Sequence, residues 1–303
     1  MIVVTTPTGL IGRQVLDLLL DAAAEARRAT RPVRVVTRDP SRLDPWALER
    51  VETVTGSHGD AAVLDVAFTE ADCVFLVVPP NPRNGGQARD YYLGFARPAA
   101  EAVAKYGVKR LVAVTSLGHG YRGEAGQLGA AMAMDEVIEG SGVAYRALAA
   151  AFFMENLLGQ AARIREHGVF SLANDADRPL ATVATRDVAA VAAQLLLDST
   201  WNGQKSIPVV GPEDHTPREM ARIVSEVLER PVRFEPATPE QYQAMLTGYG
   251  LDGAWARGLV DTVRAQNDGI YDAEPHTESF LERPTSFREW CELQLKPAAR
   301  AAR

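Results

Sequence analysis

The sequence predicts an α/β protein: a Rossmann-like, doubly wound parallel sheet with a smaller C-terminal α/β substrate domain. Three features carry that expectation. Short β-branched runs alternate with longer helical patterns through the first half, the rhythm of parallel strands joined by crossover helices. A glycine turn follows the first run at once, at Thr6-Pro7-Thr8-Gly9-Leu10-Ile11-Gly12. Beyond Ala150 the rhythm gives way to helices with written-out caps. The expected division is a nucleotide-binding domain over 1–150, with 181–210 returning to it, and a cap made of 151–180 and 211–303.

Taken in order, the expected strands are Ile2-Val3-Val4, Val33-Arg34-Val35-Val36, Cys73-Val74-Phe75-Leu76-Val77-Val78 and Leu111-Val112-Ala113-Val114. Between them Ile11, Val15, Leu18 and Leu19 recur at helical spacing and mark one buried face, and Pro98 to Tyr106 is expected to form the helix before the fourth run. "MDEVIEGSGVAYRAL" reads as a helix closed near Gly140 or Gly142, then a strand around Tyr145 to Leu148. A helix through "FFMENLLGQAARIREHG", a polar loop "ANDADRP" and the helix "RDVAAVAAQLLLD" follow. Thr216-Pro217-Arg218-Glu219, Thr238-Pro239-Glu240-Gln241 and Ser286-Phe287-Arg288-Glu289 each place a Ser or Thr cap three residues before Glu or Gln, so each starts a helix. The alanine-rich "DAAAEARRAT" is expected to be a loop and "KPAARAAR" a frayed tail.

With 303 residues, 47% hydrophobic and 23% charged, the chain is long enough to bury a core and has an ordinary soluble composition. Its formal net charge of −7 is poor for gripping phosphate backbones, so direct nucleic-acid binding is not expected. Cys73 and Cys291 have neither close spacing nor histidine company; both read as packed thiols, and no metal site is expected. No apolar run reaches the roughly 18–20 residues of a membrane span, and the chain enters its first strand without a basic leader, so a cytoplasmic protein is expected.

In a strand-turn-helix nucleotide site, glycines let the backbone approach the pyrophosphate, which is held by free N–H groups at the positive end of the helix. Gly9 and Gly12 keep the second and third positions of that spacing, while Thr6 stands at the first. A left-handed backbone costs a β-branched residue roughly 1–2 kcal/mol. Pro7 biases Thr6 towards an extended conformation, so a reshaped turn is expected. The second strand ends Val36-Thr37-Arg38-Asp39-Pro40, with Arg42 close behind. An acid there holds the ribose hydroxyls of NAD, whereas an arginine fits the 2′-phosphate of NADP; Arg38 favours NADP, although a solvated surface arginine would read the same way.

With these pieces placed, the chain resembles the NmrA-like family, atypical members of the short-chain dehydrogenase/reductase group. The likeness is carried by "TPTGLIGRQV", "VTRDP", "GDAAVLDVAFTEADCVFLVVPP", "GVKRLVAVTSLG", "DEVIEGSGVAYRALAAAFFMENLL", "ATRDVAAVAAQLLLD" and "GPEDHTPREMARIVSEVLERPVRF". It implies NADP(H) as cofactor and a cleft between two domains for nicotinamide and substrate. By motif position it implies Thr8, Gly9, Leu10, Ile11 and Gly12 at the pyrophosphate, Arg38 at the 2′-phosphate and Asp60 near the adenine. Val78 and Pro79 would border the nicotinamide ribose, with Thr115 and Ser116 below the ring. Met132, Phe152, Phe153 and Asn156 would line the substrate pocket, although such apolar positions also occur as plain core.

Departures from the family matter as much. The Tyr-x-x-x-Lys pair of the wider group, in which lysine lowers the tyrosine pKa for proton transfer, is missing: Tyr121 is followed four residues later by Ala125, and no lysine lies between Lys109 and Lys205. Where some relatives carry His or Lys four residues before the glutamate of the "DEVIEGSG" helix, this chain has Met132 before Glu136, and the family's Arg-Pro is replaced by Ala149-Ala150. The resulting wall, "GAAMAM" with "ALAAAFFM", is small, apolar and polarisable, as fits a bulky hydrophobic ligand. Ser116, His119 and Tyr121 lie on the loop "TSLGHGYRG", at the sheet edge where ligands gather. His119, titrating near neutrality, is the first candidate proton donor. Alternatively a reactive carbonyl collects its proton from water or a ribose hydroxyl.

Three functions follow as expectations. The first is an NADPH-dependent oxidoreductase reducing a ketone, quinone or enone of a bulky, mostly apolar small molecule, in a chain that could form a homo-oligomer. The second is a non-catalytic NADP(H) redox sensor with a protein partner, and the third a non-redox isomerase or cyclase on the same fold.

Overall fold

In the computed structural model, which describes residues 1–25, 31–83, 85–276 and 279–301, seven parallel strands form the central sheet. They are β1 (Ile2–Thr5), β2 (Val33–Thr37), β3 (Glu52–Thr55), β4 (Cys73–Leu76), β5 (Arg110–Ser116), β6 (Ala144–Ala150) and β10 (Gln204–Val209), while β7 (Phe152–Phe153) pairs with β9 (Thr182–Val183) and β8 (Val169–Leu172) with β11 (Arg233–Pro236). The sheet order is β10-β6-β5-β4-β1-β2-β3. Strand order reverses between β1 and β4, which opens a crevice at their carboxyl ends, the position where such sheets bind ligands.

Helices cover both faces. In chain order they are α1 (Leu10–Glu25), α2 (Pro45–Leu48), α3 (Ala61–Phe68), α4 (Ala88–Tyr106), α5 (Gly126–Glu139), α6 (Ala161–His167), α7 (Thr185–Leu197), α8 (Pro217–Leu228), α9 (Pro239–Gly248), α10 (Gly253–Asn267), α11 (Phe287–Trp290) and α12 (Lys296–Arg300). Alternation along a strand divides the apolar side chains between two cores. Ile2 and Val4 join Val15, Leu19 and Val188 on the α1/α7 side, and Val3 joins Leu64, Ala96 and Met134 on the α3/α4/α5 side. Strands buried on both faces are why β1 and β4 read as nearly continuous apolar runs.

Several elements differ from the sequence expectation. Strands β3 and β10 were not foreseen: β3 buries only Val54, and β10 carries Gln204, Lys205 and Pro208, a composition tolerated because both lie at sheet edges. Helix α4 starts at Ala88, and Pro98 lies inside it. An interior proline costs about 3 kcal/mol; the buried ladder Ala88, Tyr92, Ala96, Ala99 and Val103 offsets it. The expected helix from Phe152 is instead β7, a 3₁₀ turn (Met154–Gln160) and then α6. Asp21 to Glu25 extend α1, with 26–30 outside the described residues, and the supposed tail forms α12, with Ala299 buried. Thr216 and Thr238 make full capping boxes, and Ser286 accepts from the Glu289 N–H.

Candidate active site

The turn after β1 shows how a threonine serves at a glycine position. Thr6 sits in the left-handed region at φ 55°, so Pro7 does not hold it extended and the turn is not reshaped to avoid that conformation. Two hydroxyls stitch the turn to the end of β4. Thr6 Oγ1 donates to the Val77 carbonyl (3.0 Å), while Thr5 Oγ1 donates to the Phe75 carbonyl (3.0 Å) and accepts from the Val77 N–H (3.0 Å). These bonds offset a left-handed cost of roughly 1–2 kcal/mol. The Gly9 N–H closes the turn on the Thr6 carbonyl (3.0 Å). A Cβ on Gly12 would lie 2.2 Å from that carbonyl oxygen, and one on Gly9 would lie 2.9 Å from Thr6 Cγ2. Both positions require glycine for this close approach.

The N–H groups of Leu10, Ile11 and Gly12 occupy the first turn of α1, where an α-helix supplies no internal acceptor, and they form an anion-binding end. Ile11 is buried beneath them, whereas Leu10 is 59% exposed. Thr8, Gly9 and Leu10 also line a cleft of about 570 Å³ that runs to Glu155, Thr185 and Trp290. At the end of β2, the Asp39 carboxylate accepts from the Ser41 N–H (3.0 Å) and Ser41 Oγ (2.6 Å), capping a short 3₁₀ turn. Arg38 is exposed and makes no hydrogen bond or ion pair among the described residues. The acid beside it is thus occupied locally. A bare glycine cradle, a helix N-terminus and this guanidinium fit a phosphorylated dinucleotide.

The remaining expected residues divide. The Asp60 carboxylate caps α3 at the Ala62 N–H (2.9 Å). Val78 is buried, and the Pro79 carbonyl accepts from Tyr91 Oη (3.1 Å). Met132, Phe152 and Phe153 are half-buried against the larger core, and Asn156 is exposed on the 3₁₀ turn. Glu136, the reference for placing Met132, faces solvent; the inward acid of α5 is Asp135, four residues after the buried Ala131.

The loop after β5 holds the largest correction. His119 Nδ1 lies 3.0 Å from Glu274 Oε2, and its Nε2 lies 3.1 Å from Asp135 Oδ2. Hydrogen bonds to Asp135 and to Glu274 push the imidazole up to about 10, so it does not titrate near neutrality. Thr115 Oγ1 (2.6 Å) and Tyr145 Oη also donate to Asp135. Glu274 accepts from the N–H groups of Gly118 and His119 (3.0 Å each) and from Ser206 Oγ (2.5 Å). Against burial that would raise it, these bonds hold Glu274 down to about 2. Ser116 Oγ donates to the Leu117 carbonyl (3.0 Å) and Tyr121 Oη to Asp268 (2.8 Å), so each of the three expected proton donors already has an acceptor.

Residues 7–199 match the model of the NAD(P)H-binding family. The chain belongs to that family. The nucleotide-binding family expected from the sequence is thereby borne out. The chain is 32% identical to the (4-alkanoyl-5-oxo-2,5-dihydrofuran-3-yl)methyl phosphate reductase of Streptomyces griseus, over 96% of each chain. It is 31% identical to the NAD(P)H azoreductase of Xenophilus azovorans, over 86% of this chain and 85% of that one. Its fold superposes on the NADPH-dependent quinone oxidoreductase of Escherichia coli, crystallised with NADPH, with a TM-score of 0.78 at 22% identity, covering 95% of this chain and 98% of the other.

The acids of two motif blocks have clear work in this NAD(P)H-binding protein. Glu155, of the Phe-Met-Glu-Asn block, caps α7 by accepting from the Thr185 N–H (3.1 Å) and Thr185 Oγ1 (2.9 Å), and from Trp290 Nε1 (3.2 Å). Asp187, of the Thr-Arg-Asp-Val block, accepts from the N–H and hydroxyl of Thr285 (2.7 Å each). Both bind the C-terminal segment to the base of α7. Reading for catalysis passed over Glu155, Asp187, Asp135 and Glu274. Asp135 had a signal in helical spacing, because it shares a face with the apolar Ala131 and Ile138; Glu274 had none, being 155 residues from His119 in an irregular segment.

Proposed function

We propose that the protein is an NADPH-dependent reductase of a ketone, quinone or enone in a bulky, mostly apolar small molecule. The observation that carries the reading is the pairing of the Thr6-Gly9-Gly12 cradle with Arg38, whose neighbouring acid is occupied by its own cap. The two relatives above 30% identity are both named as reductases. A nicotinamide cofactor supplies hydride when bound. Gly9 and Gly12 keep bare backbone under the pyrophosphate, and Arg38 gives the 2′-phosphate a charge-assisted donor.

The loop Ser116–Tyr121 then forms a wall rather than a proton relay, because its donors are already engaged. That favours acceptors needing little acid catalysis. When hydride adds to a quinone or enone, the electron pair moves onto oxygen and spreads over a conjugated anion, and water completes the protonation. Positioning alone supplies as much as about 7–11 kcal/mol in the best intramolecular cases. The proposal extends to the cytoplasm as location, and to a nucleotide domain over 1–150 and 181–210 with a cap from the remainder. No helix among the described residues is long and apolar enough to cross a membrane.

Titration of the protein with NADPH, followed by turnover with a panel of quinones, cyclic enones and azo dyes, tests the reading. Binding with oxidation by at least one acceptor is expected. No binding overturns it, and tight binding without turnover by any acceptor transfers the function to a redox sensor.

A further inference from the structure

The charged network behind the β5 loop joins parts of the chain that the sequence keeps far apart. Gly118 and His119 from the loop, Asp135 from α5, Tyr145 from β6, Ser206 from β10 and Glu274 from the C-terminal segment meet in one set of hydrogen bonds. Around it the fit is close. A Cβ on Gly118 would lie 2.5 Å from Ile270 Cγ1, and Tyr121 Oη reaches Asp268. The segment from Asp268 to Glu274 therefore clasps the loop from Gly118 to Tyr121. That loop leaves the carboxyl end of β5, beside β4 and the crevice where strand order reverses.

We propose that His119, pinned by both ring nitrogens between Asp135 and Glu274, is a positioning residue that latches the β5 loop to the C-terminal segment and so builds a substrate-side wall of the crevice at the strand-order reversal. A neutral imidazole donates from one nitrogen only. Here both nitrogens face carboxylates, and each carboxylate also accepts from further donors, Thr115 and Tyr145 for Asp135, two backbone N–H groups and Ser206 for Glu274. The proton that remains belongs on the ring. An imidazolium between two anions fills a role that a neutral amide cannot, because loss of the cation leaves two buried carboxylates facing each other across the gap. The charged and titratable groups around the ring are Asp135 and Glu139 on α5, Tyr145 on β6 and Glu274 on the C-terminal segment.

The substrate-side role depends on the reductase reading; the latch itself does not. Three readouts therefore run on the full chain, the first with histidine nitrogens labelled. Nitrogen NMR at about pH 8, with His119 assigned from the resonance missing in H119Q, is expected to show both ring nitrogens protonated, where an ordinary histidine near 6.5 is neutral. Amide exchange at Gly118 and His119 is expected to accelerate in E274Q and H119Q and to be partly restored in H119K, which returns a cation. With NADPH and menadione, H119Q and E274Q are expected to raise the menadione KM about tenfold while leaving the NADPH Kd within about twofold. A neutral ring at that pH, or unchanged amide exchange in both folded variants, overturns the latch. An unchanged menadione KM in both overturns its role at the substrate wall. If the wild-type protein turns over no acceptor, the reductase reading and the wall role fail, and NMR and exchange still decide the latch.

Discussion

The Thr6 carbonyl oxygen stands 2.2 Å from where a side-chain carbon on Gly12 would lie, and the Gly9 N–H bonds to that same oxygen. The turn thus folds around a backbone carbonyl that cannot give way as a flexible side chain would. Gly12→Ala is expected to weaken NADPH binding at least about tenfold, equivalent to 1.4 kcal/mol, and to lower Tm. A cofactor titration and a melt of the apo protein check both effects; undiminished affinity would show that the turn is not the pyrophosphate cradle.

The left-handed Thr6 makes a paired prediction. Thr6→Val keeps the backbone cost and loses the hydroxyl bond to Val77, so it is expected to destabilise by about 1 kcal/mol. Thr6→Gly loses the same bond and gains roughly 1–2 kcal/mol of relieved strain, less glycine's unfolded-state entropy. Its Tm is expected to stay within about 4 °C of wild type and above that of Thr6→Val. The reverse order would mean that position 6 carries too little left-handed strain for glycine to relieve.

On the proposed reading, Arg38 sets the cofactor preference. Removing a charge-assisted hydrogen bond costs about 1.5–3 kcal/mol, so Arg38→Ala is expected to raise the NADPH Kd by about tenfold to a hundredfold and leave the NADH Kd nearly unchanged. Parallel titrations with the two cofactors read this directly. Equal losses for both would assign Arg38 no part in recognising the 2′-phosphate.

The latch gives stability a defined pH dependence. His119 has its pKa raised from 6.5 to about 10, so its contribution is complete below 6.5 and is lost as pH rises through about 10. Glu274 is lowered from 4.5 to about 2, so its contribution is complete above 4.5 and is lost as pH falls through about 2. Denaturation midpoints measured across pH are expected to lose their alkaline limb in His119→Ala and to have a shallower acid limb in Glu274→Gln. Unchanged limbs in both variants would contradict the assignment.

The central sheet was legible because its inner strands are buried on both faces and their composition says so, while β3 and β10, polar strands at the edges, gave no such signal. The glycine turn was visible from Gly9 and Gly12, yet the conformation of Thr6 was not, because hydroxyl bonds to Val77 and Phe75 across 70 residues and more outweigh the local bias of Pro7. His119 looked like a free loop histidine for the same reason. Its partners come from a helix and from a C-terminal segment that tertiary folding brings together, and its pKa belongs to them rather than to the loop.

Reductase activity is tested most directly by following the absorbance of NADPH while the purified protein is mixed with menadione. Oxidation of NADPH is expected to depend on both protein and quinone, to be retained in Tyr121→Phe because that hydroxyl is tied to Asp268, and to fall sharply in Gly12→Ala at subsaturating cofactor. NADPH that binds but remains reduced with menadione, with every other quinone and enone and with azo dyes would contradict the reductase reading.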